Sequence, residues 1–266
     1  MSQIDLAYAD AGAGDPVILL HEFAGSMSAW GEQVEEFADK HRVITYNARG
    51  YPPSAVPTRP GDYSQDLAVQ DLHDLMNRLS IDRAALVGLS MGGSTALMFA
   101  LCHPERVRCL VLAATGSGSD DKQAFINSFG AEADFLEREG SARFADRYLR
   151  GPTRLQLLYK RPAAWTELRD QLGAVPSMSL ARTIRGVMLA RPSVYDLEAQ
   201  LRSLTLPTLI LIGDEDSPVL RPAGFLHACL SSSQLVVFRK TGHTLNLEEP
   251  AEFNDAVRNF LRIGRE

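Results

Sequence analysis

The chain has little cysteine, no basic excess and no long apolar run. Each of these absences removes a class of function. Its 266 residues contain three cysteines, Cys102, Cys109 and Cys229, with no C-x-x-C spacing. An odd set without that spacing argues against a disulfide framework and against a cysteine zinc site, and fits reduced, buried thiols in a cytoplasmic protein. There are 27 Lys and Arg against 33 Asp and Glu, a net charge of -6. Nucleic acid is therefore not expected as a partner, because phosphate binding needs a basic surface. No apolar stretch approaches the eighteen or more residues of a spanning helix, and Met1-Ser-Gln-Ile-Asp5 has neither the basic start nor the apolar centre of a signal peptide. No membrane partner is expected.

What is present is an alternation. Short aliphatic runs occur at Val17–Leu20, Val43–Tyr46, Ala84–Val87, Val107–Ala113, Thr208–Ile212 and Leu235–Phe238. Continuous runs of this kind suit strands covered on both faces, as in a parallel sheet. A further strand is expected over Ile4–Tyr8, before the Gly12-Ala-Gly14 turn. Between the runs lie helical patterns. Ala68, Val69, Leu72, Leu75, Met76 and Leu79 recur at helical spacing behind Ser64, a capping residue. Pro250 opens a last helix that places Phe253, Ala256, Val257, Phe260 and Leu261 on one face. The spacing predicts an α/β protein with a doubly wound, mostly parallel sheet. Residues 119–202 break the alternation and read as a helical cap inserted between two strands, leaving 1–118 and 203–266 as the core. From Arg138 to Arg202 there are twelve Lys and Arg against six acids; starting at Ser119 makes it thirteen against eleven. So small an excess describes a solvated helix face better than an anion site.

The most informative stretch is Gly88-Leu-Ser90-Met-Gly92, a G-x-S-x-G between an expected strand and an expected helix. That context places the serine on a sharp turn, its hydroxyl exposed at the carboxyl edge of the sheet and at the N-terminus of a helix. A dinucleotide-binding turn needs glycine where Ser90 stands. A serine hydroxyl needs a base and a group to orient that base. Two later strand ends supply candidates: Gly213-Asp214-Glu215-Asp216, and Gly242-His243. His41, His73, His103 and His227 lie on or near expected helices with no acid motif beside them. No metal-ligand cluster is visible, and neither a metal nor a cofactor is expected.

Taken together, the elbow and the stretch Gly242-His-Thr-Leu-Asn-Leu-Glu-Glu-Pro250 resemble the α/β-hydrolase superfamily, specifically its serine-nucleophile branch of esterases and 3-oxoadipate enol-lactonase-like hydrolases. The resemblance spans nearly the whole chain. It implies the α/β-hydrolase fold with a helical cap, and Ser90 as nucleophile with His243 as base. It places the acid three residues after a strand-terminal glycine, at Asp216, with Asp214 as runner-up. It implies that the backbone N–H groups of Phe23 and Met91 form an oxyanion hole. Glu22, in Leu20-His21-Glu22-Phe23, stands where the family has glycine. Glu22 and His21 become candidate pocket residues, with a side chain turned into a neighbouring loop as the alternative for Glu22. In Asn47-Ala-Arg49-Gly-Tyr51 the family's Asp is replaced by Asn47, and Arg49 is expected to tie loops together. The activity implied is hydrolysis of a small-molecule carboxylic ester or lactone. C–C bond hydrolysis of ring-cleavage products stays open, as does a receptor, lyase or cyclase on the same fold. The sequence leaves the oligomeric state unspecified.

Overall fold

The computed structural model describes residues 4–263. Seven strands form one sheet: β1 (Tyr8–Ala11), β2 (Asp15–Leu20), β3 (His41–Tyr46), β4 (Ala84–Leu89), β5 (Val107–Ala113), β6 (Thr208–Gly213) and β7 (Ser233–Phe238). Their order is β1-β3-β2-β4-β5-β6-β7; β1 is antiparallel to β3 and all other pairs are parallel. Every aliphatic run of the sequence lies in one of these strands. The inner strands are buried on both faces, since β4 and β6 have no exposed position. Ile18, Leu86, Leu110 and Ile210 face one apolar layer, while Val17, Val87, Val111 and Leu211 face the other.

Two sequence expectations shift. The first strand is not Ile4–Tyr8 but Tyr8–Ala11. Leu6 is buried in the core, yet the Ala7 amide is taken by Ser54 Oγ at 2.9 Å and its carbonyl by the Asn47 amide at 3.0 Å. Loop partners, not a neighbouring strand, satisfy that backbone. His41, expected on or near a helix, is the first residue of β3, just after a helix that ends at Phe37.

The helices are α1 (Gly31–Phe37), α2 (Gln65–Arg78), α3 (Met91–Cys102), α4 (Lys122–Glu139), α5 (Ser141–Tyr148), α6 (Leu155–Lys160), α7 (Pro162–Ala174), α8 (Ser177–Thr183), α9 (Glu198–Ser203), α10 (Ser217–Cys229), α11 (Leu245–Glu248) and α12 (Pro250–Ile263). Ser64 caps α2, accepting from the Leu67 amide at 3.1 Å. Helices α4 to α9 all lie between β5 and β6. Leu136, Phe144, Trp165 and Leu180 build an apolar cluster of their own there, which meets the strand-end loops at Phe23, Tyr51 and Met91. The three cysteines are free, two of them buried. No described helix is long and apolar enough to cross a membrane.

Strand order reverses between β2 and β4, which lie side by side although β3 separates them in sequence. A crevice opens at the carboxyl ends of strands at such a point. Residues 21–25 follow β2 and Ser90 follows β4, so the sheet brings these two loops to the same place; Asp216 and His243 follow β6 and β7 on the same edge.

Candidate active site

Ser90 sits between β4 and α3 with φ 53° and ψ -108°. A positive φ is uncommon for a residue with a side chain and costs on the order of 1–3 kcal/mol, so the surroundings must hold it. They do so by close approach. A Cβ on Gly92 would collide with the backbone of Leu20 and His21, and one on Gly88 with that of Gly92 and Gly93. The Ser90 amide donates to Ala113 O at 2.8 Å, and its carbonyl accepts from the Ser94 amide at 2.9 Å. Ser90 Oγ has no protein hydrogen-bond partner among the described residues.

His243 lies 6% exposed on the loop after β7. Its Nδ1 is 2.6 Å from Asp216 Oδ2, so Nδ1 carries the proton and the carboxylate accepts it. Asp216 is buried. Asp214 is exposed and accepts instead from the Thr241 amide at 3.2 Å. Glu215 is also exposed and accepts from Gln156 Nε2 at 2.5 Å. Glu248 clamps the histidine loop on both sides, accepting from the Gly242 amide at 2.7 Å and from the Thr244 amide at 3.0 Å. The His243 amide donates to Thr153 O at 2.7 Å, which ties this loop to the segment between α5 and α6.

Glu22 is buried and bound bidentately by Arg154, Nη1 to Oε1 at 2.8 Å and Nη2 to Oε2 at 2.5 Å. Oε2 also lies 3.9 Å from His243 Nε2. Arg154 rests 4.7 Å over the Tyr148 ring. Burial alone pushes the Glu22 carboxyl up, but the charge and hydrogen bonds of Arg154, together with the nearby His243 and His21, hold the group below its ordinary value. His21 is pinned by its two ring nitrogens: Nδ1 donates to Glu22 O at 2.7 Å, and Nε2 accepts from the Ala48 amide at 3.0 Å. Burial pulls its pKa down to about 4, so the ring is neutral. It faces a small void beside Arg49 and Tyr51 rather than the cavity of Ser90. Tyr51 Oη donates to Phe23 O at 2.8 Å, and the Gly25 amide donates to Glu22 O at 3.1 Å. With the Glu22 carbonyl so engaged, planarity of the peptide turns the Phe23 N–H to the opposite side. Met91 is the first residue of α3, where an amide has no intrahelical acceptor. Arg49 binds Asp71 through two 2.6 Å bonds and Asp62 O at 2.5 Å, joining its loop to α2.

Ser90, Asp216 and His243 line one cavity of about 460 Å³, within the range of small-molecule sites. Its apolar wall includes Phe125, Phe129, Tyr148, Met188 and Pro218, and Asp120, Asp121, Glu132 and Arg147 also border it. Arg154 lines it too, and sequence reasoning passed over this residue. Its partner is 132 positions away and nothing in the local pattern marks it. No group of side chains that could hold a metal occurs among the described residues.

Residues 15–250 match the family described as the alpha/beta hydrolase fold. The chain belongs to that family. Among α/β hydrolases it is 31% identical to the 2-hydroxymuconate semialdehyde hydrolase of Pseudomonas sp. strain CF600, over 95% of this chain and 88% of that protein. It is 28% identical to 3-oxoadipate enol-lactonase 2 of Acinetobacter baylyi, over 97% and 94%. The structure of a thermophilic esterase from Thermogutta terrifontis superposes with a TM-score of 0.88 at 29% identity, covering 99% of this chain and 95% of that one.

The buried ion pair makes a stability prediction. Arg154→Met leaves the Glu22 carboxylate without its partner, and removing one member of a buried pair costs about 3–5 kcal/mol. Urea unfolding at neutral pH should show this loss, and Glu22→Gln/Arg154→Met should recover part of it. The wild-type pair stabilises fully above the unfolded carboxylate range and loses its effect as pH falls below it, because the folded pKa is depressed. His21 acts in the same direction: the unfolded chain binds its proton first, so stability falls as pH drops from about 6.5 towards about 4. Acid unfolding at higher pH in wild type than in the double variant is the expected result.

Proposed function

We propose that this α/β hydrolase cleaves a carboxylic ester or lactone of a small molecule through an acyl-enzyme on Ser90. The observation that carries the reading is the 2.6 Å bond between His243 Nδ1 and Asp216 Oδ2, with His243 and Ser90 lining a common cavity. With Nδ1 protonated and held, Nε2 is the free base of the ring. It takes the Ser90 proton as Oγ attacks the substrate carbonyl. The oxyanion then forms against the N–H groups of Phe23 and Met91. Such donors are worth about 3–4 kcal/mol each because they need no reorganisation during reaction. His243 returns the proton to the leaving oxygen, water attacks the acyl group with the same base, and Ser90 is regenerated. The segment 119–202 serves as the cap that supplies the apolar wall. Enol-lactonase and esterase relatives support oxygen-ester chemistry.

A second reading is C–C hydrolysis, favoured by the 31% identity to a 2-hydroxymuconate semialdehyde hydrolase. Wild-type protein assayed against short-chain p-nitrophenyl esters, lactones and a ring-cleavage dienoate decides between them. Turnover of esters or lactones above the dienoate is expected. Preference for the dienoate selects the second reading, and ligand binding with no turnover moves the protein to the receptors of this fold.

A further inference from the structure

Two guanidinium groups line the cavity that holds Ser90, and each is already bound to a carboxylate. Arg154 carries Glu22 in the bidentate pair, and Arg147 pairs with Glu132 while lying 3.8 Å over the Phe135 ring. The acids around the cavity are engaged as well. Asp121 Oδ1 accepts from the Ala124 amide at 2.8 Å, Asp120 accepts from Tyr195 Oη and has Arg221 at 3.8 Å, and Asp216 is bound by His243. Arg191 is buried behind the wall, with Nη1 on Ser94 Oγ at 3.0 Å and Nη2 on Ser117 O at 2.8 Å, and does not line the cavity. What remains to meet a ligand is mostly aromatic and aliphatic.

A carboxylate entering this space loses its water and finds both Nη atoms of Arg154 held by Glu22 and Arg147 already paired with Glu132. It also approaches Glu22, a like charge that lies behind Arg154 rather than in the cavity lining, 3.9 Å from His243 Nε2. An alkyl or aryl acyl group suffers neither cost. We infer that the Ser90 cavity selects substrates whose acyl part is uncharged and apolar, and that Glu22 sets this selection by occupying Arg154. With no carboxylate at position 22, as in the glycine of the family pattern, the Arg154 fork is left free to bind an anion. As a statement about turnover the inference rests on the hydrolase reading; as a statement about binding it does not.

The test compares 4-nitrophenyl heptanoate with mono-4-nitrophenyl adipate, acyl chains of similar length that differ in a terminal carboxylate. Wild type should favour the heptanoate in kcat/KM by about 100-fold or more, and Glu22→Gln should narrow that ratio at least about tenfold, chiefly through a lower KM for the adipate ester. Glu22→Gln/Arg154→Met, with the buried pair removed as a whole, should return to the neutral preference. A wild-type ratio near one, or in favour of the adipate ester, overturns the substrate class. A folded Glu22→Gln protein with the wild-type ratio overturns the role of Glu22. If Glu22→Gln does not fold, the double variant is measured in its place, and a swing of that variant to the adipate ester overturns the role. Calorimetry on Ser90→Ala with heptanamide and adipamate reads the same preference without turnover. An enzyme that hydrolyses neither ester therefore defeats the hydrolase reading while the binding comparison still decides this one.

Discussion

Ser90→Ala is expected to lower kcat on whichever ester or lactone the wild type turns over by about a million-fold, leaving a folded protein. The size follows from the chemistry. Without Oγ there is no acyl-enzyme, and His243 and the Phe23 and Met91 amides act only on a water that nothing positions. The fold should tolerate the change because alanine occupies the same backbone conformation and Ser90 Oγ makes no protein hydrogen bond that alanine would forfeit. The bonds that hold the turn, Ser90 N to Ala113 O and Ser94 N to Ser90 O, are backbone bonds. Burst kinetics in the wild type, mass spectrometry of the trapped acyl-enzyme, and circular dichroism of the variant check the three parts. A variant that keeps more than about a hundredth of wild-type activity sinks the nucleophile assignment, since residual catalysis without it lies orders of magnitude lower.

Asp216→Asn should reduce kcat by about ten-thousand-fold while Asp214→Asn changes it only a few-fold. Asp216 accepts the Nδ1 proton of His243 at 2.6 Å from a buried position. An asparagine there can offer an N–H to Nδ1, which moves the ring proton to Nε2 and leaves no base facing Ser90. It also removes the charge that stabilises the imidazolium. Asp214, exposed and bound to the Thr241 amide, can lose its charge without touching the ring. The pair of variants assayed on one substrate separates the two acids; equal losses in both would reject the assignment. The conservative size of both changes keeps packing out of the comparison.

The contrast between these two acids marks a boundary between sequence and structure. Both follow the same strand-terminal Gly213, and the residues alone left the choice open; the resemblance pointed to Asp216. In the structure α10 begins directly after Asp216, with Pro218 in its first turn, and the side chain is left free to meet His243. Glu22 shows the opposite case. Its identity stood out at once as a glutamate in a glycine position, but its partner did not. The alternative of a side chain turned towards a neighbouring segment comes close, with Arg154 as the recipient. Most of the basic residues between Arg138 and Arg202 likewise pair with acids, among them Arg161 with Glu32 and Lys160 with Glu249, many residues distant.

The sequence by itself determined the parallel sheet, the capped helix after Ser64, and the strand-end loops bearing Ser90, Asp216 and His243. These follow from local periodicity and local turn chemistry, which neighbouring residues impose on one another. Only the tertiary structure decided which carboxylate bonds His243, that His21 is a neutral backbone clamp, and that Arg154 reaches Glu22 over the cavity. Those outcomes depend on burial and on contacts between segments 27 to 132 residues apart, where the free energy of a charge or a proton is set by what the fold has packed around it.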